Sequence, residues 1–178
     1  MTTIFLIGYM ASGKTTFGHA LAAATGLKFI DLDQYIENFH NLTIGEIFAK
    51  YGEEEFRKIE HESLKRLAKE KEVIIACGGG TPCFFDNMDI MNRKGLTVWL
   101  RASEERLCER LIAENDSRPL VAGKSPDEIK RIISEQLDKR TPFYKRAHIH
   151  FSGENLESRQ MIHDTVATFL TLFRSQIK

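Results

Sequence analysis

Short apolar runs recur along the chain, and polar, helix-periodic stretches separate them. Ile4-Phe5-Leu6-Ile7 is four apolar residues stopped by Gly8, which reads as a buried strand. Lys28 to Asp33 reads as a second short strand ending in two carboxylates. Val73 to Cys77 is a continuous apolar run that passes straight into Gly78-Gly79-Gly80. Leu96 to Leu100 and His148 to Phe151 supply a fourth and a fifth strand. Between them, the alanine-rich Phe17 to Ala24 predicts a helix closed by Thr25-Gly26. A short helix is expected over 34–40. Thr43 with Glu46 then forms a capping box for the next, and Gly52 interrupts it. From Glu53 to Lys71, Phe56, Ile59, Ser63, Leu64, Leu67 and Ala68 share a helical face, and the charges around them read as the solvated side. Helices are also expected over 84–93, from Ser103 through Ile112, and from Asn155 to Arg174. Another opens at Ser125-Pro126 and must bend or end near Thr141-Pro142. Strands alternating with helices predict a parallel sheet covered on both faces.

One stretch in this frame carries chemistry by itself. Gly8-Tyr9-Met10-Ala11-Ser12-Gly13-Lys14-Thr15 follows the pattern G-x-x-x-x-G-K-[ST], a phosphate-binding P-loop. A strand precedes it and a helix follows it, which is the context the motif requires. Its backbone N–H groups and the helix N-terminus suit a phosphate. Ala11, Ser12, Gly13, Lys14, Thr15 and Thr16 are therefore the expected nucleotide contacts. Lys14 should reach the β- and γ-phosphates, and the Thr15 hydroxyl should ligate Mg²⁺.

Ligands of parallel sheets bind at the C-terminal ends of the strands. Asp31, Asp33 and Gly78 to Gly80 all follow strands, so they converge on the edge that holds Lys14. Asp31 and Asp33 are either part of that site or an ordinary cap for the helix that follows. No N-K-x-D with D-x-x-G is present, as a regulatory GTPase needs, and no L-S-G-G-Q marks a transporter ATPase. The third strand delivers glycines where an acidic residue is common. That arrangement suits an enzyme whose acceptor sits beside the metal. The polar stretch 114–124, containing Pro119 and Gly123, breaks the apolar rhythm and is the expected mobile lid.

Composition narrows the class. A chain of 178 residues with 42% hydrophobic content predicts one domain with a substantial core. Lys plus Arg and Asp plus Glu are 25 each, which argues against a general nucleic-acid binder. Cys77, Cys83 and Cys108 form no C-x-x-C pair, as expected of a reduced, cytoplasmic protein. No signal peptide and no apolar stretch near the ~20 residues of a membrane span is seen. The histidines, His148 and His150 included, read as structural or exposed rather than as metal ligands.

At these residues the sequence resembles the shikimate kinases. The resemblance covers nearly the whole chain. It rests on the P-loop, Asp31-x-Asp33, Phe56-Arg57-x-x-Glu60, Gly78-Gly79-Gly80, Arg118-Pro119-Leu120 and Arg140-x-Pro142-x-Tyr144. Ala11 stands where many members have glycine, and Val121 where leucine is common. The resemblance implies a three-layer α/β P-loop kinase fold of nucleoside-monophosphate-kinase type, with a five-stranded parallel sheet. It implies transfer of the ATP γ-phosphate to the 3-hydroxyl of shikimate, on the route to chorismate and the aromatic amino acids. ATP and Mg²⁺ are the implied cofactors, and a monomer is expected, without nucleic-acid or membrane partners.

By the same resemblance, the acceptor region spans about 33–60. Asp33 contacts the acceptor hydroxyl, either as a base or only to aim it. Asp31 supports Mg²⁺, directly or through water. Arg57 and Arg140 hold the shikimate carboxylate, as a planar guanidinium does well. Gly78, Gly79 and Gly80 let substrate approach the backbone. Arg118 reaches the phosphates from the lid. By spacing alone, Arg110 is either an adenine-packing residue or an ordinary surface residue of its helix. Two rivals remain open. One is another small-molecule kinase of this fold, such as a gluconate kinase. The other is a nucleotide-dependent binding module without turnover.

Overall fold

The computed structural model describes residues 3–113 and 123–177. Five strands, β1 (Ile4–Ile7), β2 (Lys28–Asp31), β3 (Val73–Ala76), β4 (Leu96–Arg101) and β5 (Ile149–Ser152), form one sheet in the order β2-β3-β1-β4-β5. Every neighbouring pair is parallel. The helices are α1 (Lys14–Thr25), α2 (Leu32–His40), α3 (Ile44–Leu67), α4 (Asn87–Lys94), α5 (Glu104–Ala113), α6 (Pro126–Tyr144) and α7 (Arg159–Ile177).

Residue alternation in β1 explains the three layers. Ile4 and Leu6 pack on one face with Phe17 and Leu21 of α1 and Val166 and Phe169 of α7. Phe5 and Ile7 pack on the other with Leu32 and Ile36 of α2, Phe56 and Leu64 of α3, and Tyr144 of α6. Because both faces are covered, β1 and β3 are apolar and buried at every position. The central strand therefore delivers its loop to the middle of the sheet's C-terminal edge.

Several boundaries differ from the sequence expectation, each for a local reason. β2 ends at Asp31 rather than Asp33, because Asp31 turns its carboxylate onto the N–H groups of Asp33 and Gln34 and starts α2 at Leu32. The helix expected over 84–93 starts only at Asn87, because Phe85 takes φ 49° after a 3₁₀ turn at Thr81–Cys83. α6 runs through Pro142 and stops at Tyr144, two residues on, where the missing N–H costs only a bond of the last turn. α7 begins at Arg159 rather than Asn155, with the Ser158 hydroxyl accepting from Met161 N–H at 3.2 Å. The capping boxes of α3 and α6 form as the sequence predicts, and Gly52 breaks α3 at φ 79°. Of the expected lid 114–124, residues 114–122 and hence Arg118 lie outside the described residues.

Candidate active site

The loop after β1 wraps the start of α1. Gly13 takes φ 91° as the N-cap, a conformation that favours glycine, and a Cβ there would also displace the end of the Leu156 side chain, 2.3 Å away. Ala11 holds φ 59° without being glycine, a conformation that costs an L-residue roughly 1–2 kcal/mol. The Lys14 Nζ donates to the carbonyls of Gly8 at 2.9 Å and Tyr9 at 2.8 Å. Thr15 Oγ1 donates to Asp31 Oδ2 at 3.0 Å, while Asp31 Oδ1 accepts from Asp33 N–H at 3.0 Å. Asp31 thus does both things the sequence left open: it caps α2 and faces the loop.

A cleft of about 1050 Å³ opens here. Ala11, Gly13, Lys14, Thr15 and Thr16 line one side, and Asp31, Asp33, Gly78 and Gly79 another. Ser12 is buried behind the loop, its N–H on Tyr9 O at 3.2 Å, and does not line the cleft. Arg110 reaches the rim from α5. Its guanidinium edge is spent on the carbonyls of Ala11 at 3.1 Å and Gly153 at 2.8 Å and on the Glu157 carboxylate at 2.6 Å. What it offers a base is its flat face, not its donors.

The glycine run after β3 is the meeting point of the remaining charged groups. A Cβ on Gly78 would stand 3.1 Å from both Asp33 Oδ1 and Glu60 Oε1. On Gly79 it would stand 3.1 Å from Arg140 Nη1, and on Gly80 2.9 Å from an Arg57 guanidinium nitrogen. Three consecutive glycines therefore make room for an acid pair and two arginines. Arg57, Gly80 and Arg140 are not among the cleft's lining residues; they adjoin it at this run.

Arg57 is held on several sides. It donates to Glu60 Oε2 at 3.0 Å and to Glu53 Oε1 at 3.2 Å, and its guanidinium lies 4.1 Å from the Phe84 ring centre. Glu60 is only 1% exposed. Its other oxygen accepts from Thr81 Oγ1 at 2.5 Å. Glu60 belongs to the Phe56-Arg57-x-x-Glu60 motif, but the sequence alone assigns it no role. The signal was its position: four residues after Phe56, it places a charge on the apolar face of α3. Tyr144 was missed likewise; its hydroxyl donates to Gly79 O at 2.5 Å.

These charges act on Asp33. Burial, followed by the neighbouring carboxylates of Asp31 and Glu60, pushes its pKa up to about 6, against the opposing pull of Lys14. A carboxylate titrating near neutrality in the first turn of α2, across the cleft from Lys14, can accept a proton from a hydroxyl. Outside the cleft, Trp99 packs in the core, and His148 Nδ1 lies 3.0 Å from Thr97 Oγ1.

A family model described as shikimate kinase matches residues 10–171 of this chain. The chain belongs to the shikimate kinase family. Its members are ATP-dependent phosphotransferases acting on a hydroxyl of shikimate. A shikimate kinase of Parabacteroides distasonis is 47% identical over 164 residues, covering 92% of this chain and 95% of that one. Among solved structures, the Bacteroides thetaiotaomicron shikimate kinase superposes with a TM-score of 0.94 at 43% identity, over 97% of this chain and 98% of the other. The Acinetobacter baumannii enzyme, solved with shikimate, gives 0.83 at 32% identity, over 98% and 94%. A gluconokinase from Sinorhizobium meliloti gives 0.55 at 17% identity, a likeness of fold alone.

Proposed function

We propose that this chain transfers the γ-phosphoryl group of ATP to the 3-hydroxyl of shikimate through two adjoining half-sites. The observation that carries the reading is the position of Asp33. It lines the cleft with the phosphate loop and stands beside Gly78, while Arg140 and Arg57 stand beside Gly79 and Gly80 of the same run. Phosphoryl transfer needs alignment and charge neutralisation more than covalent help. Lys14 and the loop N–H groups supply these on the nucleotide side, with Ala11, Ser12, Gly13 and Thr16 shaping the phosphate cradle and Arg110 flanking the base.

The Asp33 carboxylate receives the proton of the 3-hydroxyl, consistent with its raised pKa. Arg57 and Arg140 grip the shikimate carboxylate, and the backbone of Gly78 to Gly80 closes over the acceptor. Arg118, outside the described residues, is assigned to the phosphates by its match to the family pattern alone. The acceptor region 33–60 and a lid over 114–124 belong to the same single-domain reading.

The donor set fits magnesium. Thr15 Oγ1 and Asp31 Oδ2 are hard oxygen donors side by side at the cleft. One or two protein oxygens with substrate phosphates are the usual complement for that ion. When bound, Mg²⁺ neutralises charge on the transferring phosphate. The described groups of the site all come from one chain, and the reading takes the enzyme as a monomer. The free thiols of Cys77, Cys83 and Cys108 support a reducing, cytoplasmic setting. Among the described residues, no helix is long and apolar enough to cross a membrane.

Coupled ADP release tests the reading, with shikimate and gluconate as alternative acceptors. ADP formation that depends on shikimate and not on gluconate is expected. Turnover with gluconate would move the acceptor assignment, and ATP binding without turnover on either acid would make the chain a binding module.

A further inference from the structure

Tyr9 is the first residue of the phosphate loop after Gly8, and the loop pattern asks nothing of its side chain. Yet it is 2% exposed, and each part of it is engaged. Its carbonyl accepts from Lys14 Nζ at 2.8 Å. Its hydroxyl donates to Gln136 Oε1 at 3.0 Å. The Arg140 guanidinium, one turn further along α6, lies 5.4 Å from its ring centre, within cation–π range. Burial pushes the phenol up to about 12 despite the pull of Arg140, so the ring is a neutral phenol at physiological pH.

Arg140 is thereby bounded on one side by the Tyr9 ring and on another by the Gly79 backbone, to which Tyr144 is also tied. An arginine side chain has many rotamers, and fixing it before substrate arrives removes that ordering cost from binding.

We propose that Tyr9 is a positioning residue for the acceptor carboxylate, its ring holding the Arg140 guanidinium over the glycine run and anchoring it to the nucleotide loop. The proposal rests on the reading that Arg140 grips the shikimate carboxylate.

The test is the KM for each substrate in Tyr9→Leu, Tyr9→Phe, Arg140→Ala and the double variant Tyr9→Leu/Arg140→Ala. Tyr9→Leu should raise the KM for shikimate about three- to tenfold, the size of a partly buried cation–π contact, and leave the KM for ATP within about twofold. Tyr9→Phe keeps the ring and should keep the wild-type shikimate KM. Adding Tyr9→Leu to Arg140→Ala should change nothing further.

If Arg140→Ala leaves shikimate unaffected, the Arg140 assignment falls and the proposal with it. If Arg140→Ala weakens shikimate while Tyr9→Leu does not, or if the two effects add in full, only the Tyr9 proposal is overturned. A merely structural Tyr9 would lower the melting temperature and shift both KM values together. Should Tyr9→Leu not fold, mono-, di- and trifluorophenylalanine at position 9 keep the shape while draining ring electron density. A stepwise rise in shikimate KM along that series supports the proposal, and a flat series overturns it.

Discussion

Lys14, Thr15 and Thr16 follow Gly13 directly in the chain, whereas Asp33, Arg57, Gly79 and Arg140 come from four separate stretches. On the proposed nucleotide side the geometry is made by local backbone: a loop, a left-handed N-cap and the first turn of α1. On the proposed acceptor side it is made by charges that hold one another in place. Arg57 depends on Glu60, Glu60 on Thr81, and Asp33 titrates where it does because of burial and its acidic neighbours. The difference has a physical consequence. Side-chain changes on the first side should alter chemistry and spare the fold. Changes on the second should alter affinity, pH dependence and stability together, because each group is desolvated against the others.

The largest expected effect is on the nucleotide side. Lys14→Met should lower turnover by roughly 10²–10³-fold, the usual cost of one preorganised electrostatic contact, with the melting temperature nearly unchanged. Steady-state kinetics with a parallel thermal melt checks both halves of that statement.

Asp33→Asn should separate activity from stability. Asp33 has its folded pKa raised from 3.8 to about 6, so the folded state holds the proton more tightly. Its stabilising contribution is complete below about pH 4 and is lost as the pH rises through about 6. At pH 7 the asparagine variant should therefore be more stable, by at most about 3 kcal/mol, and much less active. Denaturant unfolding at pH 4 and pH 7 measures this; an equal or negative difference at pH 7 would remove the strained-carboxylate account. In the unaltered enzyme, kcat/KM should fall on the acid side of about pH 6.

Glu60→Gln sharpens the same point at one remove. It should cost about 1.5–3 kcal/mol of stability through the lost charge-assisted bond to Arg57. It should also shift the acid limb of the pH profile downward, since one carboxylate that raises the Asp33 pKa is gone. A limb that stays in place would uncouple Glu60 from Asp33.

The smallest effect belongs to the loop itself. Ala11→Gly relieves a left-handed alanine at φ 59° and should stabilise the fold by up to about 1 kcal/mol, offset in part by the freer unfolded chain.

The same contrast explains what the sequence revealed. The alternating strands, the two capping boxes and the P-loop are short-range patterns, and they appear where periodicity and spacing place them. So does the convergence of Asp31, Asp33 and Gly78 on one sheet edge, because parallel topology dictates it. Arg57 and Arg140 are 83 positions apart by number, and nothing local marks either; their assignment came from resemblance to a family. Glu60 hid in a run of charges that elsewhere is solvated. The errors in element boundaries have a similar origin. Asp31 and Ser158 begin α2 and α7 by capping, and a left-handed Phe85 delays α4 in a stretch whose composition is helical. Side-chain competition of this kind decides an end within a residue or two, below what periodicity resolves.

The division into two half-sites is tested most directly by calorimetric titration of Lys14→Met and Arg57→Ala, each with a non-hydrolysable ATP analogue and with shikimate. The account predicts a crossed result. Lys14→Met should weaken the analogue and bind shikimate within about twofold of the unaltered protein. Arg57→Ala should weaken shikimate by about 30-fold or more, the lower end for truncating one partner of a buried charge pair, and leave the analogue in place. If both variants weaken both ligands to the same extent, the cleft is one indivisible site and the division is wrong.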